Sequence, residues 1–365
     1  MSISVVIPAY NATATLPATL QSLMQQTRRP DEIVIVDDCS TDGTGDMARS
    51  YAARLPGLKV ISFARNQGVS TARNTAIAAS RGDFVATLDA DDLWHPTYLE
   101  KMVGRLEQMP AAGFVYCFFR EIDAQDRVIQ QRPNYSASGW IFYQLLNYNF
   151  IGNGSNTVYR RAVLDAVGGF DREMAGSEDQ LVQLQAAWRS EVAHIPEYLV
   201  GYRDLQTSLS KRWRVVGMCN LALPGKLRAA LPGIERAPLR WEISQRHRNW
   251  SQLLRGRQLG SGREAFWHEL LAFAYDPMFT LSEVPRRFYR MARKAAGRPL
   301  PFWTIPPTPL KGRDFYTIDP TLPVTVEMQP YRVTELRRAA AFDAAHPLRQ
   351  RRGGETQPVG IAVPT

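Results

Sequence analysis

Four short apolar runs recur through the N-terminal quarter of the chain, and between them the hydrophobic spacing turns helical. The runs are Ile3 to Pro8, Asp31 to Asp38, Lys59 to Phe63 and Phe84 to Leu88. Leu16, Leu20, Leu23 and Met24 mark a helix over Thr15 to Gln25. Caps at Ser40 to Asp42 open a second helix through Arg54, and the Ala-rich stretch Ser70 to Ser80 forms a third after the Asn66-Gln67-Gly68 turn. Strand and helix alternating at this rhythm predict a Rossmann-like, mostly parallel α/β sheet flanked by helices. In such sheets a ligand lies beyond the carboxyl ends of the strands. Three of those ends deliver Tyr10-Asn11, Asp37-Asp38 and Asp89-Ala90-Asp91. A binding site is expected on that edge.

The third end carries the most chemistry. Asp89, Asp91 and Asp92 crowd three carboxylates into four residues, and such neighbours raise each other's pKa unless a cation shares the site. On an extended backbone Asp89 and Asp91 leave the same face. Hard oxygen ligands so spaced suit Mg²⁺ or Mn²⁺ holding a phosphate-bearing substrate. The competing reading is a solvated acidic turn that caps a helix starting near Pro96.

Composition narrows the class. With 365 residues, 45% apolar and 22% charged, the chain suits two or three globular domains. Cys39, Cys117 and Cys219 form neither a disulfide framework nor a metal-binding spacing, which fits a reducing compartment. No basic segment precedes Ile3, and the greasiest stretch, Gly139 to Gly152, is broken by Gln144, Asn147 and Asn149. The expectation is a cytoplasmic protein without a membrane span. Charge is unevenly placed: Lys211 to Leu300 holds 18 Lys and Arg against 6 Asp and Glu, so +12 sits there while the whole chain carries +9.

After Leu88 the regularity loosens. Ala112 to Glu121 and Arg127 to Gln130 read as a strand pair, Gly139 to Tyr148 as an aromatic amphipathic helix, and Asn156 to Tyr159 as a strand. A short helix, Arg161 to Val167, is closed by Gly168-Gly169. Glu178-Asp179 opens a helix to Arg189, and a last strand, Val192 to Tyr202, bends at Pro196. Basic, tryptophan-bearing helices follow to about Arg298. Beyond them comes a tail rich in proline (Pro299, Pro301, Pro306, Pro307, Pro309), interrupted by one helix, Thr334 to Ala345.

Six motifs then occur in one order: Ser4-Val5-Val6-Ile7-Pro8-Ala9-Tyr10-Asn11, Ile35 to Thr44, Arg65-Asn66-Gln67-Gly68 with Ala72-Arg73-Asn74, Leu88 to Asp92, Gly168-Gly169-Phe170-Asp171, and Glu178-Asp179. On these the chain resembles the family 2 glycosyltransferases, nucleotide-sugar enzymes of the GT-A fold. The resemblance covers roughly the first 210 residues. It implies a GT-A catalytic domain over 1–210; charge and composition add a basic helical extension over 211–298 and a partly disordered Pro-rich tail over 299–365.

The resemblance also implies an activity. It is inverting, metal-dependent transfer of a single sugar from a UDP- or dTDP-sugar to a glycan or lipid-linked acceptor, in cell-surface polysaccharide or glycolipid biosynthesis. Pro8, Ala9, Tyr10, Asn11, Asp37, Asp38, Asn66, Gly68, Arg73, Asp89 and Ala90 would surround the donor. Asp38 can accept the N3–H of uracil or thymine, and Tyr10 can stack on the base. One of Asp37 and Asp38 can instead cap the next helix. Arg73 would reach the pyrophosphate, or else be a solvated helix arginine. Asp91 with Asp89 would hold Mn²⁺ or Mg²⁺, Asp92 sharing the ligation. Asp179 would be the catalytic base, against the plain alternative of an acid favoured by its helix dipole. Glu178 would support it or bind acceptor.

Two departures refine this. Many relatives carry a histidine shortly after the Tyr-Arg of the last strand, whereas here Tyr202-Arg203 leads into Asp204-Leu205-Gln206. Leu209 replaces the glutamine of the Gln-x-x-Arg-Trp motif found in processive synthases, although Arg212-Trp213 is present. A sugar-nucleotide nucleotidyltransferase would need a Gly-rich, Arg-containing loop after the first strand, which Pro8-Ala9-Tyr10-Asn11 does not supply. A catalytically silent nucleotide-sugar-binding protein would not need Asp89, Asp91 and Asp179 together. Acceptor choice is expected from Asn134 to Ser155 and the C-terminal third. The basic segment lacks a nucleic-acid recognition motif. It reads either as a solvated surface or as a dock for an anionic membrane, since Trp241, Trp250, Phe266, Trp267, Phe288 and Tyr289 interleave with arginines.

Overall fold

The computed structural model describes residues 1–131, 135–206, 208–257, 261–277, 308, 310–322 and 330–345. The chain forms two compact units, Met1–Ser208 with Pro307–Thr365 and, between them in sequence, Leu209–Pro306.

The first unit opens with β1 (Ile3–Ala9), α1 (Leu16–Met24), β2 (Glu32–Asp37), α2 (Thr44–Ser50), β3 (Leu58–Ser62), α3 (Val69–Ala79) and β4 (Phe84–Thr87). These follow the predicted elements closely, except that α2 stops at Ser50 and turns carry the chain to Arg54. It continues with β5 (Leu93–Trp94), α4 (Tyr98–Gln108), β6 (Ala112–Ile122), β7 (Val128–Gln131), α5 (Phe142–Asn147) and β8 (Thr157–Arg160). Then come α6 (Arg161–Val167), α7 (Glu178–Arg189) and β9 (Glu191–Arg203). One sheet runs in the order β3-β2-β1-β4-β8-β6-β9-β5, with β7 paired to β6. The first four strands are mutually parallel, β8 is antiparallel to both its neighbours, and β6 and β9 are parallel. Central strands β1, β2 and β4 are apolar on both faces because helices cover both sides. The predicted bend at Pro196 is a bulge: Ile195 pairs with Cys117, and the next partners are Tyr198 and Phe118.

The amino ends of the parallel strands are clasped by one carboxylate. Glu32 accepts from the Ser4 hydroxyl at 2.7 Å, from the Gly82 amide at 3.2 Å and from the Arg81 amide, and Lys59 Nζ lies 2.9 Å away. Burial opposes its ionisation, but the Arg81 amide, the Ser4 hydroxyl and Lys59 outweigh that and hold it at about 2. The clasp ties β1, β2, β3 and the approach to β4, leaving the opposite edge free for ligands.

The tail departs from its expected role as a separate Pro-rich extension. Residues 308 and 310–322 belong to the first unit: Val128 N donates to Arg313 O at 2.9 Å and Gly312 N to Val128 O at 2.8 Å. Leu310, Phe315 and Ile318 pack with Leu93, Ile122 and Val128. Tail helix α8 (Pro330–Ala345, in its order within this unit) brings the Asp343 carboxylate to α5, where it accepts from Tyr143 N at 2.9 Å and Gln144 N at 3.1 Å. A distant residue thus caps a helix that has no cap of its own. Pro299, Pro301, Pro306, Pro307 and Pro309 lie outside the described residues.

The second unit is a set of helices, α9 (Trp213–Ala230), α10 (Arg236–Arg257) and α11 (Gly262–Tyr275), the last capped by Ser261, whose hydroxyl accepts from Glu264 N at 3.1 Å. Trp250 is buried against Gly217, Leu254 and Ala265, which corrects the expectation that it faces a membrane. Phe288 and Tyr289 fall outside the described residues. Among the described residues no helix is long and apolar enough to cross a membrane.

Candidate active site

The site grows from the carboxyl edge of the sheet. At the end of β1, Asn11 adopts a left-handed backbone (φ 47°), its amide donating to Ser40 Oγ at 2.9 Å and its Oδ1 accepting from Thr41 N at 2.9 Å. Tyr10 beside it keeps 53% of its surface, as a stacking platform requires. Ala9 and Asp37 are register partners, and Asp38 N donates to Ala9 O at 2.8 Å, so the ends of β1 and β2 are fixed together.

Neither carboxylate after β2 caps α2. Asp42 does so, accepting from Thr44 N at 3.0 Å. Asp37 accepts from Ser40 N at 3.1 Å. Asp38 is buried and organises the next loop: Oδ1 accepts from Gln67 N at 2.6 Å, Oδ2 from Gly68 N at 2.8 Å, and its carbonyl from Asn66 Nδ2 at 3.2 Å. Gly68 has φ 86°, which a side chain would strain.

At the end of β4 the loop is pinned from several sides. Thr15 and Thr19 hydroxyls donate to Ala90 O at 2.9 and 3.1 Å. Ser155 donates its hydroxyl to Asp92 Oδ2 at 2.6 Å, and Ser155 Oγ in turn accepts from Asp89 N at 3.0 Å. Asp92 Oδ1 accepts from Arg203 N at 2.9 Å, while Arg203 Nε donates to Asp91 O at 2.7 Å. Asp92 is fully buried, and burial with the Asp91 and Asp89 charges pushes its pKa well up. With both oxygens hydrogen-bonded and the side chain fully buried, Asp92 anchors the loop to β9. Ser155 and Arg203 are the supporting residues that sequence reasoning missed, Arg203 having been seen only as part of a strand end.

Arg73 is the junction of the site, not a solvated helix residue. It is buried on α3, and Nη2 lies 2.5 Å from Asp89 Oδ1, while Nη1 lies 2.9 Å from Glu178 Oε1 and 2.8 Å from Asp179 Oδ1. Its guanidinium also sits over the Phe170 ring at 5.2 Å. The Gly-Gly-Phe-Asp turn reaches α3 through Asn74, which donates to Phe170 O and accepts from Phe170 N, both at 2.8 Å. Asp179 stands in the first turn of α7 with 22% of its side chain exposed, so the carboxylate is held yet reachable. Burial raises its pKa; Arg73 opposes this, Glu178 and Asp89 add to it, and the outcome is about 8. Gly154 faces it closely: a Cβ there would come 2.7 Å from Asp179 Oδ1.

The donor set fits a divalent cation. One guanidinium faces Asp89, Glu178 and Asp179, and Asp91 adds a fourth carboxylate, raised to about 7 by burial and by Asp89. That surplus of carboxylates over cations suits a hard cation shared with phosphate oxygens. Among the described residues no three His, Cys, Asp or Glu side chains group to hold a metal by themselves. His194 takes no part: it is buried between Tyr116 and Phe118, and burial lowers it to about 3.

Carboxylates on the strand ends of a mostly parallel sheet, joined through an arginine to an acid at a helix start, sit here on a GT-A fold. The chain belongs to the glycosyltransferases of family 2: the profile "Glycosyl transferase family 2" matches residues 4–168. YwdF, an uncharacterised glycosyltransferase of Bacillus subtilis (strain 168), is 30% identical over 205 residues, covering 54% of this chain and 72% of that protein. TuaG of the same organism is 40% identical over 101 residues, 28% of this chain and 40% of TuaG. Among solved structures, TarS of S. aureus (residues 1–349, with UDP-GlcNAc) superposes with a TM-score of 0.60 at 21% identity, covering 75% of this chain and 80% of that one. The chain spans about half or less of the length of several relatives, 40%, 53% and 37%.

Proposed function

We propose that this protein is an inverting glycosyltransferase that moves a single sugar from a UDP- or dTDP-sugar to a hydroxyl of a glycan or lipid-linked acceptor. The observation that carries the reading is Arg73, which binds Asp89 at the strand end and Asp179 at the helix start, and so couples donor side to acceptor side. Tyr10 offers its exposed ring to the base, and the Asp38-ordered loop at Asn66 to Gly68 closes around the nucleotide. Each Asp38 oxygen keeps a second lone pair, so it can still accept a base N–H.

Asp179 takes the proton as the acceptor oxygen attacks the anomeric carbon. The new C–O bond forms as the bond to the diphosphate breaks, on the opposite face, so the configuration inverts. Glu178 holds Arg73 and the Gly176 amide, which keeps Asp179 oriented. Asp91 and Asp89 would hold Mg²⁺ or Mn²⁺; when bound, the ion supplies charge that offsets the departing diphosphate.

Uridine is the first base to test because TarS, which shares the fold, was crystallised with UDP-GlcNAc. TuaG, whose name proposes a place in teichuronic acid biosynthesis, supports cell-surface polysaccharide as the acceptor class. The cytoplasm, where nucleotide-sugars are made, is the compartment we assign. The decisive experiment combines a nucleotide-sugar screen with Asp179→Asn. Asn keeps the shape but accepts no proton, so donor binding should persist while turnover falls roughly two to four orders of magnitude. Near-normal turnover would move the base elsewhere, Glu178 first.

A further inference from the structure

Helix α11 is built inside out. Its inward side, against α10, is small or polar: Ala265 and Ala272 are buried, their carbonyls accepting from Ser251 Oγ and Ser244 Oγ at 2.8 Å. On the same side His268 Nδ1 meets His247 Nδ1 at 2.8 Å. Burial lowers both histidines, His247 to about 4. Outward stand Phe266, Trp267, Leu270 and Phe273, retaining 58%, 60%, 44% and 42% of their surfaces. Their spacing puts them on one stripe of the helix, with exposed Arg263 one turn before. Helix α9 repeats the theme, with Val215 and Met218 exposed between Arg214 and Arg228. Arg214 Nη2 lies 3.6 Å from Glu264 Oε1, so the first turns of α9 and α11 adjoin.

We propose that this stripe is a peripheral docking face for an anionic lipid bilayer. Its aromatics and Leu270 enter the boundary between headgroups and acyl chains, and the bordering arginines meet lipid phosphates. Charge selects this occupant. The segment Lys211 to Leu300 carries +12, which opposes the close approach of a second copy and attracts an anionic surface. Bare phosphate chains would satisfy the arginines but leave Phe266, Leu270 and Phe273 in water, whereas a bilayer serves both. The inference stands apart from the catalytic reading, since its test needs no transfer.

The whole protein is sedimented with phosphatidylcholine vesicles containing increasing phosphatidylglycerol. Binding should rise with phosphatidylglycerol and fall at 1 M salt, where the screening length is about 3 Å. The double variant Phe266→Ser/Trp267→Ser should lower partitioning at least about tenfold with an unchanged melting temperature, because both side chains face solvent. Leu270→Glu, at an independent exposed position, should do the same. Bromine-labelled acyl chains should quench fluorescence of the wild type more than of Trp267→Phe. Absent or phosphatidylglycerol-independent binding, or equal partitioning of the variants, overturns the proposal. So does a wild-type oligomer that the double variant dissolves, which would assign the face to a second copy.

Discussion

Arg73 Nη1 lies 2.8 Å from Asp179 Oδ1, although the two residues are 106 positions apart in the chain. The arginine lowers the proton affinity of a carboxylate that burial and two further acids raise to about 8. A base works only when deprotonated, so kcat/KM should climb with pH and level off above about 8 in the free enzyme. Arg73→Lys cannot span three carboxylates with one ammonium. The midpoint of the profile should therefore move to higher pH in that variant, a shift that a purely structural arginine would not produce.

Asp91 makes no side-chain ion pair among the described residues and stands half-buried beside Asp89. Asp91→Ala should abolish the extra thermal stabilisation that Mn²⁺ gives in the presence of UDP, and with it metal-dependent transfer. Calorimetric titration of UDP with and without EDTA checks this. Full activity of the variant, or of wild type in EDTA, would remove the metal role.

Asp38 is predicted to act twice. Removing its carboxylate strips acceptors from the Gln67 and Gly68 amides and from the nucleotide base. Asp38→Ala should weaken UDP binding by about 1.5–3 kcal/mol and lower unfolding free energy by a similar amount. A stability loss with unchanged UDP affinity would make the residue an organiser of the loop alone.

The Glu32 clasp gives a pH-dependent stability. Its folded-state pKa of about 2 lies below the ordinary glutamate value of 4.5, so the stabilisation is present above about 4.5 and vanishes as pH falls toward 2. Glu32→Gln should cost about 1–3 kcal/mol at pH 7, and the gap between variant and wild type should close in acid. Urea denaturation at pH 7 and pH 3 measures both ends.

The parallel strands and their acidic ends were legible because each is a local signal: a β-branched run, a turn, a helical repeat. Asp89 could be singled out from its adjacent acids and Asp179 through the Glu-Asp motif of the family it resembles. Their connection could not, since Arg73 meets both through folding and a helical arginine with no acidic neighbour looks solvated. Ser155 holding Asp92, and Arg203 holding Asp91 and Asp92, were hidden for the same reason: the partners lie 63 and 111 positions apart. Strand β5, two residues long, is too short to show a period. The tail misled most. Prolines marked it as an extension, but Phe315 and Asp343 make it part of the first unit.

That return of the tail sets a schedule for biosynthesis. On the ribosome, residues through Ser208 emerge well before Asp343, and α5 has to wait for its cap until the whole second unit and the first part of the tail have been translated. Translation of the acidic cluster alone does not complete the catalytic unit. Its last piece is translated only after the second unit, so a ribosome-bound chain stalled within that unit carries Asp89, Asp91 and Asp179 on a sheet that is still missing Phe315 and the Asp343 cap.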